Sequence, residues 1–134
     1  MEVVISGYFI WIHKGHIDLI EKAVQLCTGG IIVILNNDEQ QKLKYGRIIV
    51  PFIERKRVLE SIKGIREVVK SIDKDRTVCK TLARIHPNIF ANGGDRNKKE
   101  IPEAKVCKDL GIKMVDGLGK KIQSASKLIK ILEK

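Results

Sequence analysis

Ile31-Ile32-Val33-Ile34-Leu35 is an unbroken aliphatic run, bounded by Gly29-Gly30 on one side and Asn36-Asn37 on the other. So short and so apolar a run reads as a strand covered on both faces, the mark of a central strand in a parallel sheet. Shorter apolar runs at 3–6, 67–72, 89–91 and 112–115 predict four further strands. Between them, apolar residues recur at helical spacing over 17–27, 54–63, 75–85 and 100–110, with a last helix at 124–132. In the second of these helices Val58, Leu59 and Ile62 are expected to face inward, and Asn36-Asn37-Asp38 is expected to be a turn. Strand and helix alternate from end to end, which predicts an α/β fold: one Rossmann-like, doubly wound domain over 1–134 with a five-stranded parallel sheet. Ligands of such sheets bind beyond the carboxyl ends of the strands, where strand order reverses. The informative segments are therefore 7–16, 36–46, 92–96 and 117–126.

The 134 residues suffice for one packed core, and no linker, repeat or low-complexity segment divides them. No run is long and apolar enough to span a bilayer, and the opening Met1-Glu2-Val3-Val4 has neither the basic nor the long apolar region of a signal peptide. Three widely spaced cysteines, Cys27, Cys79 and Cys107, suit free, buried or half-buried thiols in a reducing cytoplasm rather than a disulfide framework or a zinc site. The net charge of +10 fits an anionic partner and equally a lysine excess that serves solubility or a high growth temperature. The basic residues are spread along the chain and aromatics are few, which argues for a small polyanion rather than a nucleic acid.

Gly7-Tyr8-Phe9-Ile10-Trp11-Ile12-His13-Lys14-Gly15-His16 follows the first strand and opens the first helix. The glycine allows a sharp turn and close approach to a ligand. The amino end of a helix offers N–H groups and positive potential to phosphate. Histidines at i and i+3 project to one side, so His13 and His16 can reach one anion together, as hydrogen-bond donors that need not be charged. Trp11 and Tyr8 are expected to pack near this turn.

This motif resembles the Gly-x-Phe-Asp-x-x-His-x-Gly-His signature of the cytidylyltransferase-like nucleotidyltransferases, a family that includes glycerol-3-phosphate cytidylyltransferase, heptose-phosphate adenylyltransferases, pantetheine-phosphate adenylyltransferase and FAD synthetase. Lys44-Tyr45-Gly46 stands where that family has a phosphate-binding lysine, and Pro51-x-x-Glu54-Arg55 resembles the segment that opens its next helix. Gly93-Gly94-Asp95 resembles the turn after the fourth strand of the heptose-phosphate enzymes, and Ser124-Ala125-Ser126 the triphosphate-binding start of the last helix. The chain departs from the family at Ile10, where the motif has Asp, and at Ala125, which lacks a hydroxyl.

The resemblance implies transfer of CMP or AMP from an NTP to a phosphorylated sugar or polyol, with release of pyrophosphate. It assigns catalysis to His13, His16 and Lys44. It assigns the NTP to Gly7, Tyr8, Phe9, Lys14, Gly15, Gly93, Gly94, Asp95, Ser124, Ala125 and Ser126, and the acceptor to Asn36 and Arg55. Magnesium is expected to arrive with the NTP, since no carboxylate cluster suggests a protein-built metal cage. Related enzymes are commonly dimers, which the sequence neither supports nor opposes. The alternative is a nucleotide-binding regulatory module that keeps the fold without the chemistry, and Ile10 is its best argument.

Overall fold

The computed structural model describes residues 1–93 and 101–117. The elements run β1 (Val3–Gly7), α1 (Lys14–Val24), β2 (Ile31–Leu35), α2 (Asp38–Tyr45), α3 (Phe52–Glu60), β3 (Ile65–Lys70), α4 (Cys79–Ile85), β4 (Ile89–Ala91), α5 (Pro102–Leu110) and β5 (Lys113–Val115). The expected helix at 124–132 lies outside the described residues. The five strands form one sheet in the order β3-β2-β1-β4-β5, and every pairing is parallel. The chain winds from β1 out to β3, then returns to the other side of β1 for β4 and β5. Strand order thus reverses between β1 and β4, and a crevice opens there at the carboxyl ends.

Side chains of a strand alternate between faces, and here they divide the core in two. Val3, Ile5, Val33 and Leu35 pack with Leu19, Ile20 and Ala23 of α1 and Leu59 of α3. Val4, Ile32, Ile34 and Phe90 pack on the opposite face with Leu82 of α4 and Cys107 of α5. All five residues of β2 are buried, as its composition requires. The three cysteines are free thiols. Cys107 is buried, which pushes its thiol up to about 11, while Cys27 and Cys79 are half-buried. Among the described residues, no helix is long and apolar enough to cross a membrane.

Three expectations are corrected. The turn expected at Asn36-Asn37-Asp38 is instead the start of α2: Asn37 caps the helix through a hydrogen bond from the Gln40 N–H at 2.8 Å, and Gly46 ends it at φ 81°. Val58 is exposed, and Leu59 and Ile62 alone of that trio face the core. Trp11 is 75% exposed rather than packed.

Candidate active site

Gly7 ends β1 beneath an aromatic lid. A Cβ there would lie 2.9 Å from the Phe9 ring, so only glycine fits unless the ring moves. Phe9 is itself buried and held at φ 47°, a left-handed conformation rarely taken by a bulky residue. Such strain persists only where its surroundings enforce it. The Phe9 ring lies 5.2 Å from that of His16, so the turn after β1 is packed directly against the first turn of α1.

His13 is the N-cap of α1, in extended conformation. Its Nδ1 accepts the Gly15 N–H at 3.0 Å, and the Nδ1 of His16 accepts the His13 N–H at 3.2 Å. The His16 N–H donates to the His13 carbonyl at 3.0 Å. The imidazoles therefore form a reciprocal cap of the kind usually made by a Ser and a Glu. The amides of His13, Gly15 and His16 are engaged within the turn, so the expectation that they stand open for phosphate is corrected. In exchange, each neutral ring must carry its proton on Nε2, because Nδ1 is an acceptor. The rings lie 4.2 Å apart, so both expected histidines are brought together. Burial, with His13 beside it, lowers the His16 pKa to about 4, and the ring is a neutral Nε2–H donor at physiological pH.

A cleft of about 450 Å³ opens beside His16, between the ends of β1 and β4. Gly7, Tyr8 and Phe9 line it from the end of β1 and the turn after it, Gly93 from the segment after β4, and Asn36 and Lys44 from the segment after β2. Lys44 lies in the last turn of α2, where a cation is favoured by the helix dipole. Its Nζ sits 4.4 Å from the Tyr8 ring centroid and 5.3 Å from that of Tyr45, and the two tyrosines meet edge to face at 5.8 Å. Lys14 forms an ion pair with Asp18 at 2.9 Å on the outer side of the first turn, and neither it nor Gly15 lines the cleft. Gly94, Asp95, Ser124, Ala125 and Ser126 lie outside the described residues.

Arg55 does not meet the expectation of an acceptor-binding residue. Its side chain is 1% exposed and its donors are engaged: Nε to the Val50 carbonyl, Nη1 to the carbonyls of Tyr8 and Asn36, and Nη2 to Asp38 at 2.9 Å. It ties the turn after β1 to the end of β2 and the start of α2. Asn36 lines the cleft, but its Nδ2 donates to Gln40 Oε1 at 3.1 Å.

Two buried amides and one arginine were not foreseen. Gln41 is fully buried: its Oε1 accepts the Ile49 and Val50 N–H groups, and its Nε2 donates to the Val50 carbonyl. Gln40, also fully buried, donates to the carbonyls of Asp75 and Thr77 at 2.8 and 2.7 Å. Between those two carbonyls lies Arg76, which lines the cleft with Glu103 and Asn92. Glu103 accepts the Val78 N–H at 3.0 Å, and Asn92 donates to Asp116 at 3.2 Å. Among the described residues, no group of three or more His, Cys, Asp or Glu is placed to hold a metal ion.

The cytidylyltransferase-like family model matches residues 4–125. Over 99 residues the chain is 30% identical to the FAD synthase of Ferroglobus placidus, covering 74% of this chain and 62% of that protein. It is 34% identical to the FAD synthase of Pyrococcus horikoshii, covering 72% of this chain and 65% of that one. It is 30% identical over 111 residues to the bifunctional protein HldE of Streptomyces coelicolor, covering 81% of this chain and 23% of that one. The chain thus spans less than two thirds of each of these relatives. A lipopolysaccharide core biosynthesis protein from Thermoplasma volcanium shares the fold, with a TM-score of 0.71 at 19% identity over 87% of this chain and 94% of that one. With the histidine pair, the reversal of strand order and the match over 4–125 all in agreement, the chain belongs to the cytidylyltransferase-like family.

Proposed function

We propose that residues 1–134 form one nucleotidyltransferase domain that moves a nucleoside monophosphate from an NTP to a phosphomonoester and releases pyrophosphate. One observation carries this reading: two imidazoles 4.2 Å apart cap α1 through Nδ1, which leaves Nε2 of each outside the cap, and His16 lines the cleft at the carboxyl end of β1. An oxygen of the acceptor phosphate forms a bond to the α-phosphorus in line with the leaving group. The bond from the α-phosphorus to the bridging oxygen breaks, and pyrophosphate departs with the electron pair. A phosphomonoester dianion is already nucleophilic and has no proton to lose, so the protein needs to align two anions and offset their charge.

His13 and His16 donate to α- and β-phosphate oxygens, where charge builds as the bond breaks. Lys44 offsets the repulsion between the two substrates. Ser124, Ala125 and Ser126 are assigned to the triphosphate, and Gly93, Gly94 and Asp95 to the base. Magnesium would come with the NTP and screen its β and γ phosphates, held by triphosphate oxygens and water.

The FAD synthase relatives make a product that contains adenylate, which supports ATP as donor and a flavin phosphate as acceptor. A sugar- or polyol-phosphate acceptor, with CTP or ATP as donor, is the second arm of the same reading. The test is a matrix of ATP, CTP, GTP and UTP against FMN, glycerol 3-phosphate and heptose phosphates, read by pyrophosphate release. Release that requires one NTP and one phosphorylated acceptor supports the proposal. NTP binding with no pyrophosphate from any pair replaces it with the non-catalytic module that Ile10 suggests.

A further inference from the structure

Arg76 is the one cation lining the cleft, among the described residues, that the motifs do not account for. It stands in the turn between β3 and α4, and that turn is fixed from several directions. Gln40 donates to the carbonyls on either side of Arg76, at 2.8 and 2.7 Å. The Asp75 carboxylate accepts the Thr77 N–H at 2.9 Å and the Thr77 hydroxyl at 2.7 Å. Asn37 Nδ2 holds the carbonyls of Ser71 and Asp73 just upstream. Gln40 is itself saturated, since its Oε1 accepts the Asn37 N–H at 3.0 Å and Asn36 Nδ2 at 3.1 Å. A buried amide is costly to retain without such partners, and when fully bonded it rigidifies what it joins.

What this frame presents is an exposed guanidinium. Among the described residues no carboxylate forms an ion pair with Arg76. Its neighbour is Tyr8, whose hydroxyl is buried and, among the described residues, has no partner in hydrogen-bonding geometry, while the guanidinium opposes the upward pull of burial on that phenol. Lys44 lies over the face of the same tyrosine. The sheet order sorts the cations. His16 stands beside β1 and at the reversal toward β4, whereas Arg76 and Lys44 arrive from elements that follow β3 and β2.

We propose that Arg76 binds the phosphate of the acceptor, on the β2–β3 side of the cleft, with Gln40 as the positioning residue that holds its turn. The proposal rests on the nucleotidyl-transfer reading above and assigns the acceptor-recognising cation that Arg55 cannot be. A planar guanidinium can grip two oxygens of a phosphomonoester and leave the third free to attack.

The experiment is equilibrium titration of wild type and Arg76→Gln with ATP and CTP, and separately with FMN and glycerol 3-phosphate. Loss of a charge-assisted contact of this kind is expected to weaken phosphomonoester binding about 10- to 100-fold and to leave NTP affinity within about twofold. Arg76→Lys is expected to recover part of the loss. Gln40→Met is expected to weaken the same ligand, with little further loss in the double variant, because the two act through one contact. Arg76→Gln is an exposed change that leaves the core intact, so its result does not depend on Gln40→Met folding. Unchanged phosphomonoester binding in Arg76→Gln overturns the assignment. So does a loss of NTP affinity instead, or a wild type that binds neither phosphomonoester. Phosphomonoester binding that depends on Arg76, in a protein that releases no pyrophosphate, leaves this assignment standing and removes the transfer reading.

Discussion

His13 and His16 cap the helix they open by exchanging contacts: each imidazole accepts, through Nδ1, a backbone N–H of the same turn, and the two rings lie 4.2 Å apart. The same hydrogen bonds that stabilise α1 fix the tautomer that the proposed chemistry uses.

Because one imidazole has two tasks, substitutions at His16 should separate them. His16→Ala removes both the cap and the donor, and turnover should fall about 10²- to 10³-fold. Stability should fall by about 0.5–2 kcal/mol, as for other lost caps. His16→Gln can still accept the His13 N–H through its side-chain oxygen, so its thermal midpoint should stay near wild type while turnover drops. Pyrophosphate release and thermal melting check the two quantities separately.

The low pKa of His16 makes stability depend on pH with a definite sign. Its folded value of about 4 lies below the ordinary 6.5. Between those values the unfolded chain binds more protons than the folded one, so stability rises with pH. The contribution is fully present above about pH 6.5 and is lost as pH falls toward 4. Denaturant midpoints measured across this range should show the slope in wild type, and His16→Gln should flatten it.

Arg55→Met should unfold the site rather than weaken one substrate. It leaves the carbonyls of Tyr8 and Asn36 without their buried donor and Asp38 without its ion-pair partner, a loss of about 2–4 kcal/mol. Chemical denaturation should show the loss. A fully stable variant with only a raised acceptor KM would return Arg55 to the acceptor-binding role that its motif implies.

Gly7→Ala should be costly although the residue sits at an open cleft. The new methyl meets the Phe9 ring at 2.9 Å, and Phe9 is packed against His16. Overpacking of this sort costs about 1–3 kcal/mol. The displaced ring should also disturb His16, so turnover and the melting midpoint should fall together.

The sheet was legible because aliphatic runs announce it. The Ile31–Leu35 and Ile89–Ala91 strands fall where the sequence places them, since burial on both faces leaves no room for another composition. The histidine pair was legible from its spacing and its place after a strand. What escaped was built from polar groups. Helix α2 buries Gln40 and Gln41 rather than aliphatics, so it has no apolar stripe to reveal it. Arg55 is assigned to the acceptor by its motif, and only the converging carbonyls around it explain its burial. Arg76 lies in a polar stretch whose shape is set by Gln40, 35 residues upstream of Asp75, and no local pattern records that link. Helix α4 starts at Cys79 rather than at 75 because Asp75 and Thr77 are tied to each other in a turn.

The most direct test of the histidine pair is a proton–nitrogen correlation spectrum of the imidazoles in histidine-labelled protein near pH 7, recorded before and after addition of ATP with magnesium. The account predicts that His13 and His16 both carry their proton on Nε2, and that those Nε2–H signals shift when the nucleotide binds. Protons found on Nδ1, or ring signals that ignore ATP and CTP alike, would contradict it.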